Sequence, residues 1–352
     1  MATKKIGIGI VGLGRAGWDI HVQDTRRRRD YRIVAVADPL PERRAQAERE
    51  LRCRSYESLS QLLKDTEIEL VTIATPSAAH GPDTKKALRA GKHVVVEKPM
   101  AVTVREADSM VAAAKKARRK LFVHQNYRFD RNYTYLKGVV DSGIIGKLFA
   151  IQLHMPAFTR RYDWQTLAKN GGGVLNNTGP HYVDQIINLL GSPVVEVMGD
   201  LQRIASAGDV EDHVAAFLRA KNGCTAQMTI SSAQNITPMP PYRWVLCGSY
   251  GTCMANQESS TINYFHPNKV KPLKAIDGPV MSRTYERNDL PWQTKTVKAV
   301  GPNVGNFYDN VYTVLRNRAK LHVTPESARE IIRVIAMIRK GTNFPGRAIA
   351  KR

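Results

Sequence analysis

The sequence predicts an α/β fold: a doubly wound parallel sheet in the N-terminal third, followed by an α/β region built on a mostly antiparallel sheet. Two observations carry this. Up to about residue 126, short apolar runs alternate with helical stretches, the pattern of parallel strands joined by crossover helices. Beyond that point strand-like runs become longer and follow one another directly, as antiparallel sheets do. A length of 352 residues suits two domains, since single cores rarely grow that large. The expected division is 1–126 and 127–352.

In the first region the strands are expected at 6–11 (IGIGIV), 33–38 (IVAVAD), 69–75 (ELVTIAT), 93–99 (HVVVEKP) and 121–126 (LFVHQN). Apart from Glu69 and two threonines the third of these is a continuous apolar run, as expected of a strand buried on both faces. Helical patterns begin near Arg15 and cover 42–52, 80–90 and 103–117, with Gly91 stopping the 80–90 stretch. In the second region a helix at 129–142 precedes strands at 148–155, 194–204, 212–220 and 224–232. Residues 244–247 and 252–255 flank a Gly-Ser-Tyr-Gly turn, and a helix near 175–190 interrupts the strands. Residues 256–300 show no clear period, and 304–318 and 325–340 read as amphipathic helices.

The formal net charge is +22. Arg26 to Arg29 form one basic run; Lys115, Lys116, Arg118, Arg119 and Lys120 form another; Arg316, Arg318 and Lys320 cluster later. Such charge attracts nucleic acid or anionic substrates. These runs lack interleaved aromatics, so solvated helix ends explain them better than a single-strand binder does. Cys53, Cys224, Cys247 and Cys253 form no C-x-x-C pair, which points to reduced thiols and no structural metal. Lys4 and Lys5 before an apolar run loosely mimic a secretory signal, but glycines at 7, 9, 12 and 14 interrupt that run. No stretch approaches the ~18 unbroken apolar residues of a membrane span. The expected location is the cytoplasm.

Three motifs carry chemistry. Gly12-Leu13-Gly14-Arg15-Ala16-Gly17 directly follows a strand and opens a helix, the context in which G-x-G-x-x-G marks a Rossmann dinucleotide site. The first glycine permits the tight turn, the second lets backbone approach a pyrophosphate, and the third lets helix and strand pack closely. Asp38 ends the second strand, where a carboxylate accepts from ribose hydroxyls and disfavours a 2′-phosphate. NAD is therefore expected over NADP, although Arg43 and Arg44 nearby soften that preference. Glu97-Lys98-Pro99 ends another parallel strand, and ligands bind beyond such ends. Lys98 there can donate to a substrate oxygen. The third motif runs from Gly171-Gly172-Gly173 to His181 and Asp184. Consecutive glycines let backbone crowd a ligand. In a helix Asn177, His181 and Asp184 would share a face, with Pro180 working against continuity. His181, with an ordinary pKa near ~6.5, suits a general base.

Together and in this order, the motifs resemble those of the glucose–fructose oxidoreductase/inositol dehydrogenase (Gfo/Idh/MocA) family. Supporting pieces are Ala74-Thr75-Pro76 with His80, Ala90-Gly91-Lys92-His93, Tyr127-Arg128-Phe129 and Gly143-Ile144-Ile145-Gly146. The resemblance spans nearly the whole chain. It implies a Rossmann domain followed by an α/β domain with an open antiparallel sheet. It further implies a substrate cleft between them, dimers or tetramers through the sheet, and carbohydrate or polyol substrates. Cofactor contacts are then expected from the glycine loop, Asp38, Thr75, Pro76, His80, Glu97, Lys98 and Asn126. Lys98 would hold the reacting oxygen, and His181 would move its proton while the cofactor takes hydride. Many relatives carry aspartate four residues before the histidine, where this chain has Asn177; asparagine orients but takes no proton. Arg128, Asp163, Trp164 and Asp184 are expected in the sugar pocket, and the basic charge favours an anionic sugar. Two other readings are a glycoside-cleaving enzyme working by transient oxidation and a non-catalytic NAD(H) sensor.

Overall fold

The computed structural model describes residues 5–344 other than 238, 240, 241, 257, 276, 280–288, 299 and 318. Lys4, Arg318 and part of the 256–300 stretch lie outside the described residues.

Apolar runs at 6–11, 31–37, 70–73, 93–96 and 121–123 become the parallel strands β1 (Ile6–Val11), β2 (Tyr31–Ala37), β4 (Leu70–Ile73), β5 (His93–Val96) and β6 (Leu121–Val123). A short β3 (Arg54–Tyr56) adds the edge. It is too short and too polar to announce itself by period. The strand order is β3-β2-β1-β4-β5-β6, which places the topological switch between β1 and β4. Ligands of such sheets bind there, beyond the carboxyl ends.

Helices fill both faces. The stretch after the glycine loop is a π-helix over Ala16–Val22, continued by α1 (Gln23–Arg26), and it turns His21 fully inside. Next come α2 (Pro41–Leu51), α3 (Leu59–Leu62), α4 (His80–Arg89) and α5 (Val104–Ala117). Thr103 caps α5 by accepting from the Glu106 N–H, one of the donors a helix start leaves unpaired.

Beyond α6 (Arg131–Asp141) lies an eight-stranded sheet, ordered β14-β13-β12-β11-β7-β10-β9-β8. Its strands are β7 (Leu148–Pro156), β8 (Val194–Gln202), β9 (His213–Ala220), β10 (Thr225–Ser231), β11 (Trp244–Gly248), β12 (Gly251–Ala255), β13 (Ser259–Tyr264) and β14 (Gln293–Lys298). All adjacent pairs are antiparallel except β7 with β10. A cross-strand row of Leu218, Ala226, Ile151, Leu246, Cys253 and Ile262 is buried. The neighbouring row carries Met198, Phe217, Gln227, Gln152, Val245 and Met254, with Met198 73% exposed. The period-2 pleat thus gives the sheet one packed face and one open face.

The expected helix at 175–190 divides into α7 (Val174–Asn177) and α8 (Gly179–Leu190). Pro180 sits in the first turn of α8, where its missing N–H costs nothing. α9 (Phe307–Asn317) and α10 (Pro325–Arg339) complete the chain. α10 packs on α5, α8 and β8. α9 returns to the first sheet: Phe307, Tyr308, Val311 and Val314 share a core with Ile6, Ile8, Ile10, Leu70, Val95 and Phe122. Among the described residues no helix is long and apolar enough to cross a membrane.

Candidate active site

The glycine loop folds as its spacing demands. Gly12 has φ +87°, and a Cβ there would stand 2.6 Å from the Ala74 carbonyl oxygen. At Gly17 a Cβ would stand 1.8 Å from the Gly12 carbonyl oxygen. Gly14 meets nothing within 4 Å. Protein packing therefore requires Gly12 and Gly17, whereas Gly14 leaves bare backbone over open space, the room a pyrophosphate needs. The residues present fit a dinucleotide on that observation.

A cleft of about 930 Å³ starts at this loop. It is lined by Gly12, Gly14, Arg15, Ala16, Asp38, Thr75, Pro76, His80, Glu97, Lys98, Asp163, Trp164 and Asn177, all expected from the sequence. Leu13 and Gly17 serve the loop itself. The Leu13 N–H donates to Asp38 Oδ2 at 2.7 Å, and the Leu40 N–H donates to Oδ1 at 3.0 Å. Asp38 is buried and ties loop to turn, with Arg43 Nη1 3.3 Å from Oδ2. Arg44 bonds instead to the Asp38 and Pro39 carbonyls.

At the other end, Lys98 Nζ donates to the Asn177 carbonyl at 2.7 Å and to its Oδ1 at 3.3 Å. Gln165 Nε2 also donates to that Oδ1, at 3.3 Å. Burial, with help from Arg15 and Arg161, draws the Lys98 ammonium below its ordinary value, while Glu97 opposes the shift. His181 stacks on Tyr127, with ring centroids 4.0 Å apart. His181 is buried and lies outside the cleft lining, and among the described residues its Nδ1 has no hydrogen-bond partner. Burial and then the Lys98 charge hold its pKa well below the usual imidazole value. The site thus sets a cation beside a neutral imidazole.

A side pocket of about 130 Å³ adjoins this end, sharing Arg161, Gln165 and Asn177 with the cleft. Thr159, Thr166, Thr178, Ser206 and Ser232 line it together with Glu211 and Asp212. Arg161 and Gln165 are the residues the sequence reading left unassigned. Arg161 forms a two-nitrogen ion pair with Asp163 Oδ2, at 3.0 and 2.6 Å. Its neighbours Asp163 and Trp164 were the only signal for it.

Several expectations need correction. Arg128 and Asp184 do not line the cleft: both are buried and paired, with Nη2 to Oδ1 at 2.6 Å and Nε to Oδ2 at 2.8 Å. Arg128 Nη1 also donates to the His322 carbonyl. The pair braces α8 from behind. The break at Thr178 removes the single helical face that was to hold Asn177, His181 and Asp184. Asn126 is half-buried and outside the cleft lining. His80 lines the cleft, but its nitrogens face the Pro99 and Thr75 carbonyls at 2.7 and 2.8 Å, so it ties strand ends together. The triple glycine serves both packing and cleft: Gly171 and Gly172 line the cleft, while a Cβ on Gly172 would stand 2.2 Å from the Gln165 carbonyl and one on Gly173 2.3 Å from Glu211 Oε1.

Beneath the cleft lies a buried cluster. Glu97 Oε1 accepts from His21 Nε2 at 2.9 Å and from His124 Nδ1 at 2.8 Å. Among the described residues these three have donor atoms close enough, within 4.8 Å, to suggest a metal triad. Both N···O separations are hydrogen-bond lengths. Burial opposes ionisation of Glu97, but His124 and His21 outweigh it and hold its pKa well below the carboxylate range.

Comparisons with known proteins agree with this geometry. A model of the oxidoreductase family with an NAD-binding Rossmann fold matches residues 6–125, and the GFO/IDH/MocA C-terminal domain matches 133–254. An uncharacterized oxidoreductase of Schizosaccharomyces pombe is 30% identical over 280 residues, 75% of this chain and 76% of that one. The scyllo-inositol 2-dehydrogenase (NADP(+)) of Bacillus subtilis is 24% identical over 94% of this chain and 92% of its own. The crystal structure of an NAD-binding protein from Listeria innocua superposes with a TM-score of 0.82 at 27% identity, covering 96% of this chain and 97% of that one. Both family domains in their expected order, joined to a relative that spans three quarters of each chain, make this protein a member of the Gfo/Idh/MocA family of NAD(P)-binding oxidoreductases.

Proposed function

We propose that the protein is an NAD-dependent dehydrogenase that oxidises a secondary alcohol of a sugar, polyol or related compound. The observation that carries this is Lys98, which lines the dinucleotide cleft and is held there by Asn177, with the buried His181 close enough to feel its charge. The dinucleotide, when bound, supplies the hydride acceptor. Lys98 donates to the substrate oxygen and stabilises negative charge developing there. His181 takes the hydroxyl proton as general base. Asn177 accepts from Lys98 and so aims it. Asp38 at the ribose end supports NAD, because a second anion there would face a buried carboxylate. The hydroxyl-rich side pocket supports a polyhydroxylated substrate, and Arg161 supports an acidic substituent on it. The open row of Met198, Phe217, Val245 and Met254 supports self-association through the larger sheet.

The test is a panel of sugars, sugar acids and polyols followed by NADH absorbance. Lys98→Ala and His181→Ala are each expected to lower kcat by about 10²–10⁴, with NADH affinity within about twofold of wild type. A variant that keeps near-wild-type kcat removes its residue from the mechanism. The pH profile has a defined sign. His181 must be neutral to accept a proton, and its pKa lies well below 6.5. Oxidation therefore stays level as pH falls through 6.5 and declines only at lower pH. A decline centred at or above 6.5 would contradict the assignment.

A further inference from the structure

The buried cluster under the cleft belongs to no step described so far, yet each of its bonds leads to Lys98. Tyr308, on α9, lies 2.8 Å by its hydroxyl from His21 Nδ1 and 3.2 Å from Thr72 Oγ1. His21 reaches Glu97 Oε1 through its other nitrogen, and His124 reaches the same oxygen. The second oxygen, Oε2, accepts from the Lys98 backbone N–H at 3.0 Å. Tyr308, His21, Glu97 and His124 are all buried, and Glu97 also lines the cleft.

The hydrogen bonds define a direction. A buried carboxylate is tolerated when donors surround it, and an ionised one accepts only. His21 Nε2 and His124 Nδ1 must then both carry hydrogen. His21 Nδ1 is left as an acceptor, so the Tyr308 hydroxyl donates to it. Burial keeps the Tyr308 phenol protonated and the His21 ring neutral, as that arrangement needs. One carboxylate therefore sits among buried hydrogen-bond donors, next in sequence to the reacting lysine.

We propose that His21, His124 and Tyr308 are positioning residues that act through Glu97, holding the Lys98 backbone in place and its side chain in the ammonium form. The inference rests on the reading of Lys98 as the group that holds the substrate oxygen. Charged groups facing Lys98 are Arg15 from the glycine loop and Arg161 from the second domain, both of which disfavour its charge, and Glu97, which favours it. The neutral His181 ring stands on the opposite side of the balance, being itself depressed by Lys98. Glu97 is thus the counter-charge on which the ammonium depends. Losing the Tyr308 hydroxyl leaves His21 Nδ1 without its donor, so the ring is held through Glu97 alone and its support of that charge loosens.

The test reads Lys98 without any substrate. In the full-length protein, the pH dependence of acetylation of the Lys98 amine by acetic anhydride is followed by peptide mass spectrometry for wild type, Glu97→Gln and Tyr308→Phe. Glu97→Gln is expected to lower the Lys98 titration by about 1 pH unit or more, and Tyr308→Phe by less in the same direction. Where a substrate is turned over, the alkaline limb of kcat moves down by the same amount while NADH affinity holds within about twofold. Should Glu97→Gln fail to fold, Tyr308→Phe, which removes one hydroxyl, carries the measurement. Unchanged Lys98 titration in the folded variants overturns the proposal, whatever happens to turnover. Wild-type turnover by Lys98→Ala overturns the catalytic reading instead and leaves the titration result standing.

Discussion

The two ends of the cleft are built from different materials. The dinucleotide end is mostly backbone: a loop whose first and third glycines are fixed by contacts with their own chain and whose second faces open space. The opposite end is mostly side chains. Lys98 comes from the end of β5 and Asn177 from α7, while His181 of α8 stacks on Tyr127 outside the lining. A backbone site is specified within a few consecutive residues. A side-chain site depends on elements that are distant in sequence and on the support behind each of them. The same contrast sorts the effects of substitution.

The sharpest contrast is expected within the glycine loop, where neighbouring glycines should behave differently. Gly17→Ala forces a Cβ into the Gly12 carbonyl and should cost about 2–3 kcal/mol of stability as well as cofactor binding. Gly14→Ala has no protein atom to meet, so thermal or urea unfolding should shift by less than about 0.5 kcal/mol. Its NADH affinity should still fall by about tenfold or more, roughly 1.4 kcal/mol. Unfolding curves paired with fluorescence titration separate the two. Equal losses of stability would break the distinction between packing glycines and ligand-facing glycine.

This contrast also explains what was legible in the sequence. G-x-G-x-x-G, Asp38 and the alternation of apolar runs are local signals, and the first sheet follows them closely. Lys98, Asn177 and His181 were named by motif, but the buried support behind Lys98 was not. Nothing near Tyr308 tells that α9 folds back onto the first sheet, about 180 residues after β6, to reach His21. Arg128 and Asp184 were misplaced because a charge in a motif looks the same whether it meets substrate or another charge. Their burial decides it, and burial is a property of the whole fold. β3, β13 and β14 escaped: β3 and β14 are polar edge strands, and β13, though interior, buries only Ser260 and Ile262.

The chemical end can be sharpened through that misplaced pair. Arg128→Met leaves Asp184 buried beside Asn188, whose side-chain amide is a weaker partner than a guanidinium. Breaking a buried ion pair from one side typically costs about 3 kcal/mol or more. The expected result is a lower unfolding midpoint with KM for the substrate within about twofold at a temperature where the variant is folded. A large KM increase without loss of stability would return Arg128 to the sugar pocket and blur the line between the site and its support.

The smallest effect concerns Arg43, where the two ends differ least. Its guanidinium lies against Asp38 and remains 45% exposed at the cleft edge. Exposed cations exert modest pulls, about two- to fivefold in affinity. A 2′-phosphate on the ribose would meet Arg43 and Asp38 together, one attracting and one repelling. Arg43→Ala removes only the attraction, so NADPH should bind about two- to fivefold more weakly while NADH stays within about twofold. Paired titrations of both nucleotides at low salt would show this as a wider gap between them, and the gap should shrink as salt screens the cation. If instead both affinities fall together, Arg43 is holding Asp38 in place rather than reading the phosphate. Cofactor choice would then rest on the backbone-built end alone.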